Sequence, residues 1–293
     1  MLCAKKNLLP YPGSSAHDLC YDSPSMHPKT TAITFFLLLN TSLARPQTPP
    51  APPRPTSHQS VTVSANLTPE EIEEGKLNDL YQPASLLERQ GHCDAAIEKY
   101  RSVVLPEAQK AKFDSPRNKF LYLATQGIAS CDISAHRYEE AEALYQKCLD
   151  YIPVWPGLTD SDYPITLRSV GLARLGRQDW KGAEEILQKS VAIFDQQIER
   201  AVHSDSEFMH GQMANNLRMS QDSALSYLAV ARFRQDHPAE ALEALERAYQ
   251  QATKFNAPAA TLNDIIETGR IIALSAADLP ASATWLLRSK SSN

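Results

Sequence analysis

The residues best suited to bind a metal ion are two histidines and two carboxylates close together in the chain, His203, Asp205, Glu207 and His210. Imidazole and carboxylate groups are common zinc ligands when one helix presents them on the same face. Ser204 or Asp205 is also a favoured helix cap, and a helix that begins there would separate the two histidines. The sequence therefore favours a charged, solvated helix start over a metal site.

A glycine pair, Gly171 and Gly176, has the spacing of a nucleotide phosphate loop. The next residues, Arg177 and Gln178, replace the Lys and the Ser or Thr that contact phosphate and magnesium in such a loop. The chain has no dinucleotide-binding fingerprint, no His-Glu-x-x-His pair and no detectable Ser/His/Asp or Cys/His set. We predict no enzyme, no cofactor and no metal, and an enzyme with a site assembled from scattered residues stays as an alternative.

The composition of the 293-residue chain favours helices. It contains only 10 glycines, and its formal net charge is −5. Scarce glycine argues against barrels with glycine turns, and an acidic balance argues against broad binding to nucleic acid, which requires a basic face. We therefore expect a helical protein that binds no nucleic acid.

Five segments of the chain become similar when each is aligned on one alanine. These alanines are Ala96, Ala141, Ala183, Ala241 and Ala283, at intervals of 45, 42, 58 and 42 residues. A large side chain follows each by four residues, and small residues precede the first four by twelve, at Ala84, Ala129, Gly171 and Ala229. Antiparallel helices approach closely only where small residues face each other, so this spacing predicts helical hairpins that stack into a solenoid.

Three segments carry a family resemblance. The segment 136–145, followed by Pro153, resembles the tetratricopeptide repeat (TPR) family, and 90–97 and 179–184 match it well. The resemblance covers about Leu77 to Arg288, and intervals near 42 residues resemble the longer repeat of kinesin light chains rather than the usual repeat of about 34 residues. It implies an all-α, right-handed solenoid of about four to five helical hairpins behind a disordered N-terminal segment.

Local signals predict the details of this array. Thr68 and Glu71 predict a capping box at its first helix, and Pro83 predicts a kink or a new helix start. The 58-residue interval predicts an insertion, with the first helix of the fourth hairpin extended over 207–235.

In the TPR family the first helix of each hairpin lines a concave surface that binds an extended peptide or a partner helix. Carried across residue by residue, the resemblance implies a partner-binding surface made of Asn78, Tyr81, Ser85, Gln126, Ser130, Arg168 and Ser226. Arg168 is the one cation of this set, which disfavours the family's capture of a C-terminal carboxylate. A polar, weakly charged surface suits hydrogen bonding to an extended segment, and a face that only meets solvent stays as the alternative.

The residues therefore predict a non-catalytic scaffold with a protein or peptide partner. The alternative is a structural component that self-assembles through an apolar terminal face at Trp285, Leu286 and Leu287, so an oligomer stays open.

The first 66 residues are predicted to lie outside the repeat domain, which spans 67–290. Residues 1–25 read as an extra N-terminus, and residues 26–44 have the basic start, apolar run and small residues of a signal peptide that is cleaved after Ala44. Residues 45–66 form a Pro-rich disordered spacer, with six prolines between Pro46 and Pro55. We expect an exported protein, periplasmic or extracellular, without a stable membrane span in the mature chain.

Three cysteines, Cys93, Cys131 and Cys148, remain in the expected mature chain. An odd number at wide spacing is no disulfide framework. Small buried thiols are favoured, and one bridge stays open.

Overall fold

The computed structural model of the chain describes residues 67–152, 162–204 and 209–291. These residues form helices and short turns, and no strand occurs among them. The helices are α1 (Pro69–Arg89), α2 (Cys93–Lys99), α3 (Leu105–Lys110), α4 (Asp114–Ser134), α5 (Tyr138–Tyr151), α6 (Asp162–Gly176), α7 (Trp180–Val202), α8 (Ala214–Arg234), α9 (Pro238–Lys254), α10 (Ala259–Ser275) and α11 (Leu279–Ser291). The predicted all-α fold is confirmed. The predictions for the signal peptide and the spacer lie outside the described residues.

Within the described residues the helices form five hairpins. The first pairs α1 with a continuous helical segment made of α2, the π-helical turn Tyr100–Val104 and α3, and the others pair α4 with α5, α6 with α7, α8 with α9, and α10 with α11. Each second helix also packs on the first helix of the next hairpin. This order of contacts is that of the predicted solenoid, because every hairpin covers an apolar face of its neighbour.

Every hairpin turn has the same backbone geometry. One residue in each turn has a positive φ, between 58° and 79°, and these residues are Gly91, His136, Gln178, Asp236 and Ala277. The N–H of the residue that follows bonds to a carbonyl five residues earlier, as in His92 N to Leu87 O at 2.9 Å. This is the Schellman ending of a helix, in which a left-handed residue satisfies carbonyls that the helix leaves free.

The small-residue rule holds in the first four hairpins. Ala96, Ala141, Ala183 and Ala241 are fully buried, and so are their predicted partners Ala84, Ala129 and Ala229, with Gly171 also buried. The large residues four positions later, Tyr100, Tyr145, Leu187 and Leu245, are buried as well. The predicted close contact between paired helices is therefore the repeating unit of the core.

The fifth hairpin departs from the predicted register by one residue. Ala283 is exposed and Leu287 is 67% exposed, whereas Ser282 and Trp285 are buried. The Ser282 N–H bonds to Asp278 O at 2.9 Å, just as the Ala241 N–H bonds to His237 O at 3.1 Å in the fourth hairpin. Ser282 is therefore the equivalent of the aligned alanines, and the alignment on Ala283 is wrong.

Two local predictions have different outcomes. The capping box is present, with Thr68 N donating to Glu71 Oε2 at 2.7 Å and Glu71 N donating to Thr68 Oγ1 at 3.2 Å. A new helix start at Pro83 is wrong, because α1 continues through Pro83 to Arg89. Pro83 is exposed, so water can satisfy the carbonyl that loses its helical partner.

The extended first helix of the fourth hairpin is confirmed from the π-helical turn Met209–Met213 to the end of α8 at Arg234. Its predicted start at residues 207–208 lies outside the described residues.

The three cysteines are free thiols. Cys131 and Cys148 are buried between helices, and Cys93 is half-buried at the start of α2. Burial raises the pKa of the Cys148 thiol to about 12. Cys131 and Cys148 pack as small apolar groups between helices.

Candidate functional site

The first helices of successive hairpins form a continuous row. Helix α1 packs on α4, α6 packs on α8, and α8 packs on α10. Between α4 and α6, the hydroxyls of Tyr122 and Thr166 lie 3.0 Å apart and share a buried hydrogen bond. The surface of this row, called here the first-helix face, carries the predicted partner-binding residues of α1, α4, α6 and α8.

Arg168 is the cation at the middle of the first-helix face. It is half-buried on α6, two residues after Thr166. Within the described residues its guanidinium makes no hydrogen bond and no ion pair. Burial lowers the pKa of this guanidinium, because loss of solvent contact disfavours its charged form.

Three tyrosines surround Arg168 without neutralising it. The phenols of Tyr227, Tyr145 and Tyr122 lie close enough to act on its ionisation, from α8, α5 and α4 respectively. Burial raises the pKa of each of these phenols, so all three are neutral at physiological pH. The positive charge of Arg168 is therefore left available to a ligand.

Gln126 lies on α4, one helical turn after Tyr122. It is half-buried, and its amide has no hydrogen bond within the described part of the chain. A free primary amide both donates and accepts, as the main chain of an extended peptide requires.

The helical array is similar to two crystal structures of nearly identical TPR-like repeats from a Podosopora anserina protein assigned as a kinesin light chain. One structure, of a point variant, has 15% sequence identity and a TM-score of 0.53, and the other has 16% identity and a TM-score of 0.52. Each alignment covers 75% of this chain and 95% of that chain. The chain has a TPR-like repeat fold.

The comparisons of sequence, unlike the comparison of structures, found no match for this TPR-like chain. No protein-family model matches the chain, and no curated protein sequence matches it. At 15–16% identity the structural likeness shows the fold alone.

Two other predicted residues of the TPR-like first-helix face, Tyr81 and Ser226, already have contacts within the protein. The ring of Tyr81 packs between Tyr100 and Phe120, with both ring centroids 5.9 Å away, so this tyrosine belongs to the core. The Ser226 hydroxyl donates to the carbonyl of Asp222 at 3.0 Å. The ring of Tyr81 and the hydroxyl proton of Ser226 are therefore already used within the protein.

Asn78, Ser85 and Ser130 are the remaining predicted residues of the same face. Asn78 is exposed, and its amide oxygen accepts from Gln82 Nε2 at 3.0 Å. Ser85 and Ser130 are half-buried at equivalent positions, each one residue after the small residue of its first helix. Gln126 and Arg168 are the two predicted residues with long polar side chains that no hydrogen bond engages in the described part of the chain.

Apolar residues that were not predicted also lie on this TPR-like face. Leu172 and Val230 stand where Ser85 and Ser130 stand in the first two hairpins, and both are half-buried. The repeat alignment already contained this signal, because it places all four residues in one column. The face is thus polar at its first two hairpins and more apolar at the next two.

The other candidate sites remain without support. His203 is exposed just beyond α7, Asp205 and Glu207 lie outside the described residues, and no group of three potential metal ligands occurs in the part of the chain that the structure describes. Gly171 and Gly176 both lie within α6, as the repeat register predicts. Of the helices described, none is long and apolar enough to cross a membrane.

Proposed function

We propose that this protein is a non-catalytic scaffold that binds an extended segment of a partner protein along its first-helix face. The TPR-like fold supports a protein-interaction role, because arrays of this kind present extended surfaces. The observation that carries the proposal is the unpaired guanidinium of Arg168. Within the described residues it is half-buried, with neutral neighbours and no counter-ion.

The chemistry of the face favours one kind of segment. A poorly solvated guanidinium binds a carboxylate through charge-assisted hydrogen bonds, so the segment carries an acidic side chain opposite Arg168. Gln126 binds the main chain of the same segment, since its amide is free. Leu172 and Val230 contact an apolar residue beyond the acidic one. The net charge of −5 opposes a highly acidic partner, so one carboxylate is expected rather than a run of them.

The test is capture of the partner in cells. A photo-crosslinking amino acid at position 126 is expected to link a partner that mass spectrometry then identifies. Arg168→Glu is expected to reduce capture at least about tenfold, because it replaces attraction with repulsion. Lys181→Glu is the matched control: it makes the same charge change on an exposed residue of α7 and leaves capture unchanged. Circular dichroism verifies that both variants fold, and full capture by folded Arg168→Glu contradicts the proposal.

A second candidate function is self-assembly through the last hairpin. Leu279 and Leu287 are 76% and 67% exposed, and Leu274 and Leu286 are also exposed. Trp285 takes no part in this surface, contrary to expectation, because it is buried in the core. Sedimentation velocity at several concentrations tests this function, with Leu287→Glu expected to dissociate any oligomer. A monomer at every concentration removes the candidate.

We further propose that the protein is exported, with a mature chain that begins at Arg45. The support is the signal-like pattern of 26–44, followed by the Pro-rich spacer that would tether the repeat domain. Mass spectrometry of the N-terminal peptide tests this proposal. A chain that begins at Met1 or Met26 contradicts it.

A further inference from the structure

A cavity of about 160 Å³ lies between α8, the end of α9 and the start of α10. None of the predicted first-helix residues lines it. Its wall combines two charged side chains, Arg218 and Asp222, with apolar groups that include Met219, Phe255 and Pro258. Concave, mostly apolar cavities with a few convergent polar groups are the usual form of small-molecule sites.

Arg218 brings a buried positive charge to this cavity. The residue is 9% exposed, its guanidinium stacks 3.7 Å from the centroid of the Phe255 ring, and its Nη1 donates to Asn215 Oδ1 at 2.9 Å. No carboxylate pairs with it among the residues described. Burial lowers the pKa of this guanidinium. Its remaining N–H groups therefore lack an anion.

Asp222 brings a buried carboxyl group to the same cavity. The residue is 1% exposed, and its Oδ1 accepts from Gln251 Nε2 at 2.8 Å. Gln251 Nε2 also donates to the carbonyl of Arg218 at 3.2 Å, which fixes its orientation. Within the described ranges the second carboxyl oxygen, Oδ2, has no hydrogen bond.

Arg218 and Asp222 do not neutralise each other. They stand one helical turn apart on α8, both line the cavity, and no ion pair joins them in the described part of the chain. Burying an unpaired charge has a high free-energy cost. A cavity that holds one unpaired positive group and one unpaired negative group is therefore complementary to a ligand that carries one charge of each sign.

We propose that this cavity binds a free α-amino acid with a small apolar side chain. The ligand's carboxylate accepts hydrogen bonds from Arg218, its ammonium group donates to Asp222 Oδ2, and its side chain contacts Met219, Phe255 and Pro258. The size is suitable, because a dry cavity of about 150 Å³ holds a benzene ring, and alanine, serine, threonine and valine are of this order. The proposal is independent of partner binding at the first-helix face.

The charge of Asp222 gives binding a defined pH dependence. Burial raises the pKa of this carboxyl to about 7, while the Gln251 hydrogen bond and Arg247 act the other way. Among the described residues, the charged group that acts on Asp222 is Arg247 on α9, which is itself paired with Asp195 on α7. Arg218 on α8 lines the same cavity. An ammonium ligand requires the ionised carboxylate. Affinity is therefore expected to rise about tenfold between about pH 6 and pH 8.

Isothermal titration calorimetry on the repeat-containing full chain tests the proposal with three matched probes. L-valine carries both charges, 3-methylbutanoate lacks the ammonium group, and 2-methylpropan-1-amine lacks the carboxylate. Saturable binding is expected for L-valine, with each of the other two at least about tenfold weaker. Alanine tests a smaller apolar side chain, and serine and threonine test small side chains that carry a hydroxyl group.

Variants separate the two charges. Asp222→Asn keeps the oxygen that accepts from Gln251, and it is expected to weaken L-valine binding at least about tenfold and to abolish its pH dependence. Arg218→Gln is expected to weaken binding by a similar factor. Lys254→Gln is the matched control, because Lys254 lies near the Phe255 ring, 5.3 Å from its centroid, but does not line the cavity.

Three results would overturn the proposal, and two of them need only the wild-type chain. The first is no saturable heat from any of the four amino acids at about 10 mM. The second is equal binding of 3-methylbutanoate and L-valine, which would make the cavity a simple anion site. The third is unchanged L-valine affinity in folded Asp222→Asn.

Discussion

The guanidinium of Arg174 on α6 donates from Nε to Glu142 Oε1 on α5 at 2.9 Å, which ties the second hairpin to the third. The same relationship recurs one hairpin later, where Arg232 Nε donates to Glu184 Oε1 at 3.0 Å. Both glutamates directly follow the aligned alanine, and both arginines follow the small residue of the next first helix by three positions. The recurrence shows that the hairpins share a polar contact as well as an apolar one.

Glu142→Ala is expected to lower the free energy of unfolding by about 1–3 kcal/mol, because it removes the carboxylate that pairs with both Arg174 and Arg177. Among the described residues, the mostly buried guanidinium of Arg174 is then left with only the carbonyl of Gly182 as an acceptor. The side chains of Arg174 and Glu142 are only 25% and 14% exposed. Urea unfolding measures the effect, and a double-mutant cycle with Arg174→Ala isolates the pair.

The control for this variant is Glu139→Ala. Glu139 is 78% exposed and lies 3.6 Å from Arg177, so its removal is expected to cost less than about 0.5 kcal/mol. Equal costs for the two variants would show that the buried ion pair does not couple the hairpins.

The sequence predicted the first four hairpins because their small residues recur at a fixed spacing that only helix pairs require. It did not predict the Arg174–Glu142 contact. Charged residues are frequent on every helix, and a spacing of 32 residues between partners has no local signature. It also gave the wrong register for the fifth hairpin, since Ala283 imitates the aligned alanine one position after Ser282.

The candidate site was predictable only in part. The repeat register placed Arg168 and Gln126 on the first helices, but their lack of internal partners depends on rotamers and neighbours that no spacing encodes. Tyr81 shows the limit most clearly. Its position follows the same rule as Arg168, yet its ring packs against Tyr100 and Phe120.

The corrected register of the fifth hairpin predicts that Gly269→Ala strongly destabilises this hairpin. A Cβ at Gly269 would lie 2.5 Å from a ring atom of the buried Trp285, and an indole in the core has no room to withdraw. Overpacking of this kind is expected to lower the free energy of unfolding by about 1–3 kcal/mol. Hydrogen exchange of α11 peptides measures the loss, because the change acts on the last hairpin alone.

Gly75→Ala provides the opposite expectation. A Cβ at Gly75 meets nothing within 4 Å, and the residue lies inside α1. Alanine is a better helix former than glycine, so the free energy of unfolding of this variant is expected to rise by about 0.5–1 kcal/mol. Faster exchange in α1 of Gly75→Ala, or unchanged exchange in α11 of Gly269→Ala, would contradict the packing described.

The left-handed residue of the fifth turn predicts a stabilising substitution. Ala277 has φ 58°, a conformation in which its Cβ is strained, whereas Gly91 fills the same position of the first turn at φ 79° without a Cβ. Ala277→Gly is therefore expected to raise the stability of the last hairpin by about 0.5–1 kcal/mol, measured by hydrogen exchange of α10 and α11. Gly91→Ala is the reciprocal variant, and it is expected to lower the free energy of unfolding by about 1 kcal/mol. If both substitutions stabilise the protein, or both destabilise it, strain at the left-handed residue does not explain the effect.

Asp222 predicts how stability depends on pH. Burial raises the pKa of this carboxyl from 3.8 to about 7, so between these values the folded chain binds a proton that the unfolded chain has released. The contribution of Asp222 to stability is complete below pH 3.8 and is lost as the pH rises to about 7, with a slope of at most about 1.4 kcal/mol per pH unit.

Asp222→Asn removes this proton linkage while it keeps the acceptor for Gln251. The variant is expected to match the wild type near about pH 4 and to exceed it by about 2–4 kcal/mol above about pH 7, where the wild type must bury a charge. Urea unfolding across this range measures the difference. Asp264→Asn, at an exposed position on α10, is the control and should give a curve parallel to the wild type. If the Asp222→Asn curve also runs parallel to the wild type, Asp222 takes up no proton when the chain folds, and the prediction is wrong.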